Sequence, residues 1–131
     1  MIACVAVVAL GTACQKQGAP EQVADGFVEA YFVRADQERA KDFTALGATE
    51  MLEKELKDVA AVRKDGYVPG DNGRGDVQAK RGAPSNREQR IRYPYEITIK
   101  SGDVETVREA DIELAQIKGA WKVVRVGLKT R

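Results

Sequence analysis

Apolar and polar residues follow four successive rhythms along this chain. Residues 1 to 10, MIACVAVVAL, are apolar without interruption. From Pro20 to about residue 62 apolar side chains return every three or four positions, the period of a helix with one buried face. Residues 64 to 88 show neither period. From Ile91 onward apolar and polar residues alternate one by one, as in strands buried on a single face.

Three helices are predicted in the first half. Val23, Phe27, Ala30 and Tyr31 mark the first, widened by Ala24, Val28 and Phe32, with Pro20 in its opening turn. Asp36 is the expected cap of a short second helix that turns Ala40, Phe43 and Leu46 inward and stops at Gly47. Thr49 is the expected cap of the third, carried by Leu52, Leu56, Val59 and Val62 and closed by Gly66. Residues 64 to 88, rich in glycine, read as a long loop with a short strand around Val77 to Lys80.

In the second half, Ile91, Tyr93, Tyr95, Ile97 and Ile99 point one way. A two-residue turn at Gly102-Asp103 pairs Ile91 with Leu114, Tyr93 with Ile112 and Tyr95 with Ala110, and also Arg92 with Glu113. A slip of one residue would set Tyr93 against Asp111, so the register is well specified. For the next turn, near Lys118-Gly119, two readings stand. A three-residue loop pairs Leu114 with Val124, whereas a two-residue loop keeps Trp121 and Val123 inward and needs a bulge further on. The fold class expected is α+β: three N-terminal helices packed on a curved antiparallel sheet of three to four strands.

The apolar start is too short to span a bilayer but suits the apolar region of a signal peptide, and every charged residue lies after it. Gly11 and Ala13 stand three and one residues before Cys14, small side chains where a signal peptidase requires them. Cys14 is open to three readings: a buried or free thiol, a residue near an ordinary secretory cleavage site, or a lipidated N-terminus. The arrangement resembles a bacterial lipoprotein signal, although Leu10 stands four residues before the cysteine, with Gly11 where such signals prefer leucine. That resemblance implies a lipid on Cys14 and an anchor in the cell envelope, facing the periplasm or exterior. The organisation expected is a signal peptide over 1–13, a tether over 14–19 and one domain over 20–131.

Composition narrows the chemistry. Twenty-one basic against twenty acidic residues give a net charge of +1, without the strong positive charge of a nucleic-acid binder. There is no histidine, which removes the commonest general base near neutral pH and the commonest zinc ligand. The two cysteines both fall in the first fourteen residues, and no metal site or cofactor is expected from the motifs. Arg74-Gly75-Asp76 matches the integrin-recognition tripeptide, in a loop whose composition makes the match easy to reach by chance.

The opening helix pair VADGFVEAYFVRADQERA and the closing hairpin LAQIKGAWKVVRV, with Gly119, Trp121, Lys122 and Val123 in a Gly-x-Trp-Lys-Val segment, resemble the NTF2-like superfamily of α+β cones over residues 20 to 129. The resemblance implies a cleft between the concave sheet face and the helices, here lined by Phe27, Tyr31, Phe43, Tyr93, Tyr95 and Ile112. Enzymes of that superfamily, such as ketosteroid isomerases, use a buried Asp or His with a tyrosine donor. Asp25 and Tyr31 are the weak catalytic candidates, Asp25 falling off the apolar stripe as a solvated charge would, and alternation puts Asp111 on the outer face. The expectation is a non-catalytic envelope domain binding a small apolar ligand in the cleft or a protein partner. The outer sheet face, with Arg92, Glu109, Asp111, Glu113 and Arg125, would take a second copy or an envelope protein. An enzyme of isomerase, dehydratase or cyclase type and a purely structural dimerising domain are the alternatives.

Overall fold

The computed structural model describes residues 18–60 and 76–130. The expected signal peptide, Cys14, most of the tether, the end of the third helix at Val62 to Gly66, and Arg74-Gly75 lie outside the described residues.

One antiparallel sheet contains five strands: β1 (Asp76–Arg81), β2 (Ser85–Arg87), β3 (Arg90–Ser101), β4 (Val104–Ile117) and β5 (Ala120–Thr130). Their order is β1-β3-β4-β5, with β2 also on β3. The sheet has five strands where three to four are expected, because residues 76 to 87 form an edge strand in two pieces: the short strand expected around Val77 to Lys80 is β1, and β2 lies in what reads as loop. Arg81 lies opposite Tyr95 and Ser85 opposite Arg92, so three residues, 82 to 84, face two across the interruption. The break falls at Pro94, which has no N–H to offer a neighbouring strand. Gly82 closes over the proline instead: its N–H donates to the Pro94 carbonyl at 2.7 Å, and a Cβ there would come within 3.0 Å of Pro94 Cγ.

The β3–β4 register agrees pair for pair with the alternation argument, from Ile91 opposite Leu114 to Lys100 opposite Glu105. At the next hairpin the two-residue turn wins. Lys118 and Gly119 both take positive φ, 54° and 84°, the twist that suits a tight hairpin. Ile117 to Leu114 pair with Ala120 to Val123; the register then shifts, and Glu113 pairs with Arg125, leaving Val124 as the bulged residue.

The helices cover the face bearing Tyr93, Tyr95, Ile97, Ala110, Ile112, Leu114 and Val123, all buried. Helix α1 (Pro20–Val28) buries Val23, Ala24, Phe27 and Val28, and the Ala19 N–H at its start donates to Gln22 Oε1. It runs on as a π-helical turn, Glu29–Val33, in which the Arg34 N–H reaches the Glu29 carbonyl at 2.9 Å. That wider turn leaves Tyr31, Phe32 and Val33 half-buried against the core. Asp36 caps α2 (Gln37–Lys41) as expected, its Oδ1 accepting from the Arg39 N–H at 3.0 Å.

Between α2 and α3 (Gly47–Ala60) the backbone is stitched to β5. The Val123 N–H donates to the Phe43 carbonyl at 2.8 Å, and the Ala45 N–H donates to the Val123 carbonyl at 2.9 Å. This segment corrects three expectations. Gly47 opens α3 and does not end α2. Leu46, expected inside, is 59% exposed, its left-handed backbone (φ 57°) turning the chain into α3 and leaving the side chain outside. Thr49 lies within the helix, and its hydroxyl shares a hydrogen bond with that of Thr44 at 2.8 Å. Leu52 is the fully buried anchor of α3. No helix among the described residues is long and apolar enough to cross a membrane.

Candidate functional site

Two regions hold the side chains capable of chemistry. The first is a seam where α1 meets the sheet. Arg81 ends β1 directly opposite Tyr95, so the two lie side by side on the helix-facing surface. Both converge on Asp25 of α1: the Tyr95 hydroxyl donates to Oδ1 at 2.5 Å, and the Arg81 guanidinium pairs with Oδ2. Two residues along β3, on the same face, Tyr93 donates to Glu21 Oε2 at 3.1 Å, with the Arg81 guanidinium 5.7 Å from its ring centre. Further along the helix layer, Tyr31 stacks on Phe27 with ring centres 5.3 Å apart and donates to both carboxylate oxygens of Glu55, at 2.9 and 2.7 Å.

In all three tyrosines the hydroxyl stays protonated to higher pH than usual. Burial is the main cause, followed by the carboxylate that each hydroxyl bonds: Asp25 for Tyr95, Glu21 for Tyr93 and Glu55 for Tyr31. They are fixed donors. Asp25 is 52% exposed at its side chain, but both its oxygens are engaged, and it is neither a free solvated charge nor a companion of Tyr31. The seam therefore does the work of a strap between helix and sheet. Sequence periodicity missed it because Arg81 lies fifty-six residues from Asp25, in a stretch read as loop.

The six residues expected to line a cleft do come together. Phe27 and Ile112 are fully buried, Tyr93 and Tyr95 nearly so, and Tyr31 and Phe43 pack against them half-buried. They form the contact layer between helices and sheet. Asp111 lies on the opposite face as alternation requires, 4.0 Å from Arg92 and 3.8 Å from Lys129.

The second region is at the end of the sheet where two tight turns meet, Glu88-Gln89 before β3 and Lys118-Gly119 before β5. An open depression of about 1300 Å³ lies between them, with Arg87, Arg90, Arg125 and Glu113 on its walls and Trp121 and Ile91 at its apolar side. Arg90 is held by Glu113, Nη1 to Oε2 at 2.5 Å. Arg87 and Arg125 form no ion pair among the described residues and are exposed. A smaller hollow of about 220 Å³ adds Arg92 and Ser85 beside them. On the other side of Trp121 a hollow of about 330 Å³ is walled by Gly18, Gln22 and Val23 of the α1 entry and by Ala120 and Lys122. The sequence did carry a signal for this region, since NREQRIR places three arginines within six residues, but the period-two reading begins only at Ile91. Among the described residues no group of three acidic or thiol side chains converges as a metal site needs.

No protein-family model matches this chain, and no curated protein matches it. Solved structures do. An NTF2-like protein of unknown function from Shewanella oneidensis MR-1 superposes with a TM-score of 0.55 at 12% identity, over 82% of this chain and 93% of the other. Bd1075 of Bdellovibrio bacteriovorus superposes with a TM-score of 0.52 at 8% identity, over 85% of this chain and 39% of the other. The chain has an NTF2-like α+β fold, and likeness at these identities speaks to fold alone.

Proposed function

We propose that this chain is a non-catalytic binding domain, held at the bacterial cell envelope by a lipid on Cys14, whose ligand or partner enters the arginine-lined depression at the hairpin end. The observation that carries this reading is that Arg87 and Arg125, exposed and without an ion pair among the described residues, share one open hollow of about 1300 Å³ with the apolar side of Trp121. Charged forks beside an aromatic face suit recognition of an anionic group that has an apolar neighbour. Two further features favour binding over catalysis. The helix–sheet interior is filled by Phe27, Ile112, Leu114 and Val123, each fully buried. The one cleft-side carboxylate raised as a base, Asp25, is occupied by Arg81 and Tyr95.

A photo-crosslinking residue tests the surface in cells. Placed at Gln89, inside the depression, it should capture an envelope component; placed at Asp103, in the turn at the far end of β3, it should not. Capture from Asp103 alone would overturn the assignment. The anchor is tested separately: Cys14→Ala should move the protein from the membrane to the soluble fraction, and unchanged partitioning would sink lipidation.

A further inference from the structure

We infer that the occupant of this depression is the membrane surface itself, through its anionic phospholipid headgroups, so that the domain lies hairpin-end down beside its own anchor. This rests on the binding-surface reading above and names its ligand class.

The first step is reach. Four Cα-to-Cα steps separate Cys14 from Gly18, so a lipidated cysteine holds Gly18 within about 15 Å of the headgroups in any conformation. Gly18 is not at a neutral place on the domain. It walls the hollow whose other side is Ala120, Trp121 and Lys122, and Trp121 also borders the large depression. The anchor therefore delivers this end of the sheet, whereas the turn at Gly102-Asp103 lies the length of β3 away, about 35 Å.

The second step is chemistry. Tryptophan favours the headgroup level, where an apolar ring with one N–H is at home. Arg87 and Arg125 share the depression with Trp121, Lys122 shares the adjoining hollow with it, and Lys118 sits in the turn between β4 and β5; Lys122 Nζ donates to the Asp42 carbonyl at 3.1 Å. Guanidinium forks match phosphate oxygens, and lysines near an anionic surface add attraction that salt screens. Glu113 is already taken by Arg90, so the acidic side chains opposing this charge are Glu88 in the depression and Asp42 beside Lys122 in the adjoining hollow.

The test uses the single tryptophan. A chain beginning at Cys14 keeps every described element and has one cysteine and one tryptophan. It is coupled through Cys14 to maleimide-bearing lipid in vesicles of phosphatidylcholine and phosphatidylglycerol, some containing phosphatidylcholine brominated high on its acyl chains. Trp121 emission should shift to the blue and be quenched by the bromines. Omitting phosphatidylglycerol, or changing both Lys118→Glu and Lys122→Glu in a variant shown folded by its urea midpoint, should remove both effects. Unquenched emission on anionic vesicles, open to aqueous iodide, would overturn the inference, as would equal quenching in the charge-reversed variant. Because the coupling is chemical, the outcome is independent of natural lipidation. If Gln89 crosslinks to a protein in cells while Trp121 stays unquenched, the occupant is a protein: the binding surface stands and the membrane inference falls.

Discussion

Gly26 sits inside α1, where alanine would normally help. Replacing a helix-interior glycine by alanine gains about 1 kcal/mol of propensity. Here the new methyl would lie 2.6 Å from Phe43 Cε1 and 2.8 Å from Cζ. Ordinary contact would require the ring to retreat by nearly 1 Å. Phe43 is poorly placed to move, because its own carbonyl accepts the Val123 N–H that ties the α2–α3 segment to β5. Overpacking of this kind costs about 1–3 kcal/mol, and with two ring atoms under 3.0 Å and the backbone pinned, the upper half of that range applies. Gly26→Ala should therefore destabilise by about 1–2 kcal/mol after the propensity gain is set against it. The assay is urea unfolding followed by Trp121 fluorescence, run as a double-mutant cycle with Phe43→Leu. In the Phe43→Leu background the ring is gone, and Gly26→Ala should turn neutral or stabilising. If Gly26→Ala stabilises by the same amount in both backgrounds, the contact does not control the site and the reasoning is wrong.

Two further outcomes follow from the packing and the tyrosines. Leu52→Ala, at a fully buried position, should cost about 2–5 kcal/mol in the same assay, and a loss under about 1 kcal/mol would mean that α3 is not anchored there. Tyr31, Tyr93 and Tyr95 hold their protons more tightly when folded, so their contribution is complete below the usual tyrosine value of 10.0 and drains away as pH rises above it. Stability should fall steeply on the alkaline side, with phenolate absorbance rising together with unfolding, and Tyr95→Phe should flatten that fall; an unchanged slope would remove the seam from the explanation.

How much of this was legible depends on where the information sits. The β3–β4 register was readable because period-two alternation and a Gly-Asp turn are both local, and one slip would bury Asp111. The next hairpin was not, because both loop lengths fit the local pattern; the structure has the bulge where the Phe43–Ala45 backbone pairs with Val123, eighty residues away. The β1–β2 edge was readable only in part. The short strand expected around Val77 to Lys80 is β1, but only Val77 among the edge residues is buried, so no apolar rhythm carries the strand on to Arg81 or announces β2. Leu46 shows the reverse error, an apolar residue in phase with a helix that has already ended. At the seam, Asp25 was weighed as a lone charge because nothing near it in sequence names Arg81 or Tyr95 as partners.

The stitching of Phe43 and Ala45 to Val123 also bears on how the chain is made. β5 lies downstream of every element it closes, so neither α1 nor the α2–α3 segment can complete its packing until residues about eighty or more positions later have been synthesised. Contacts of such long sequence separation form slowly and late. While synthesis continues, the helical layer and the β3–β4 hairpin wait with apolar faces uncovered, open to misassociation until β5 arrives.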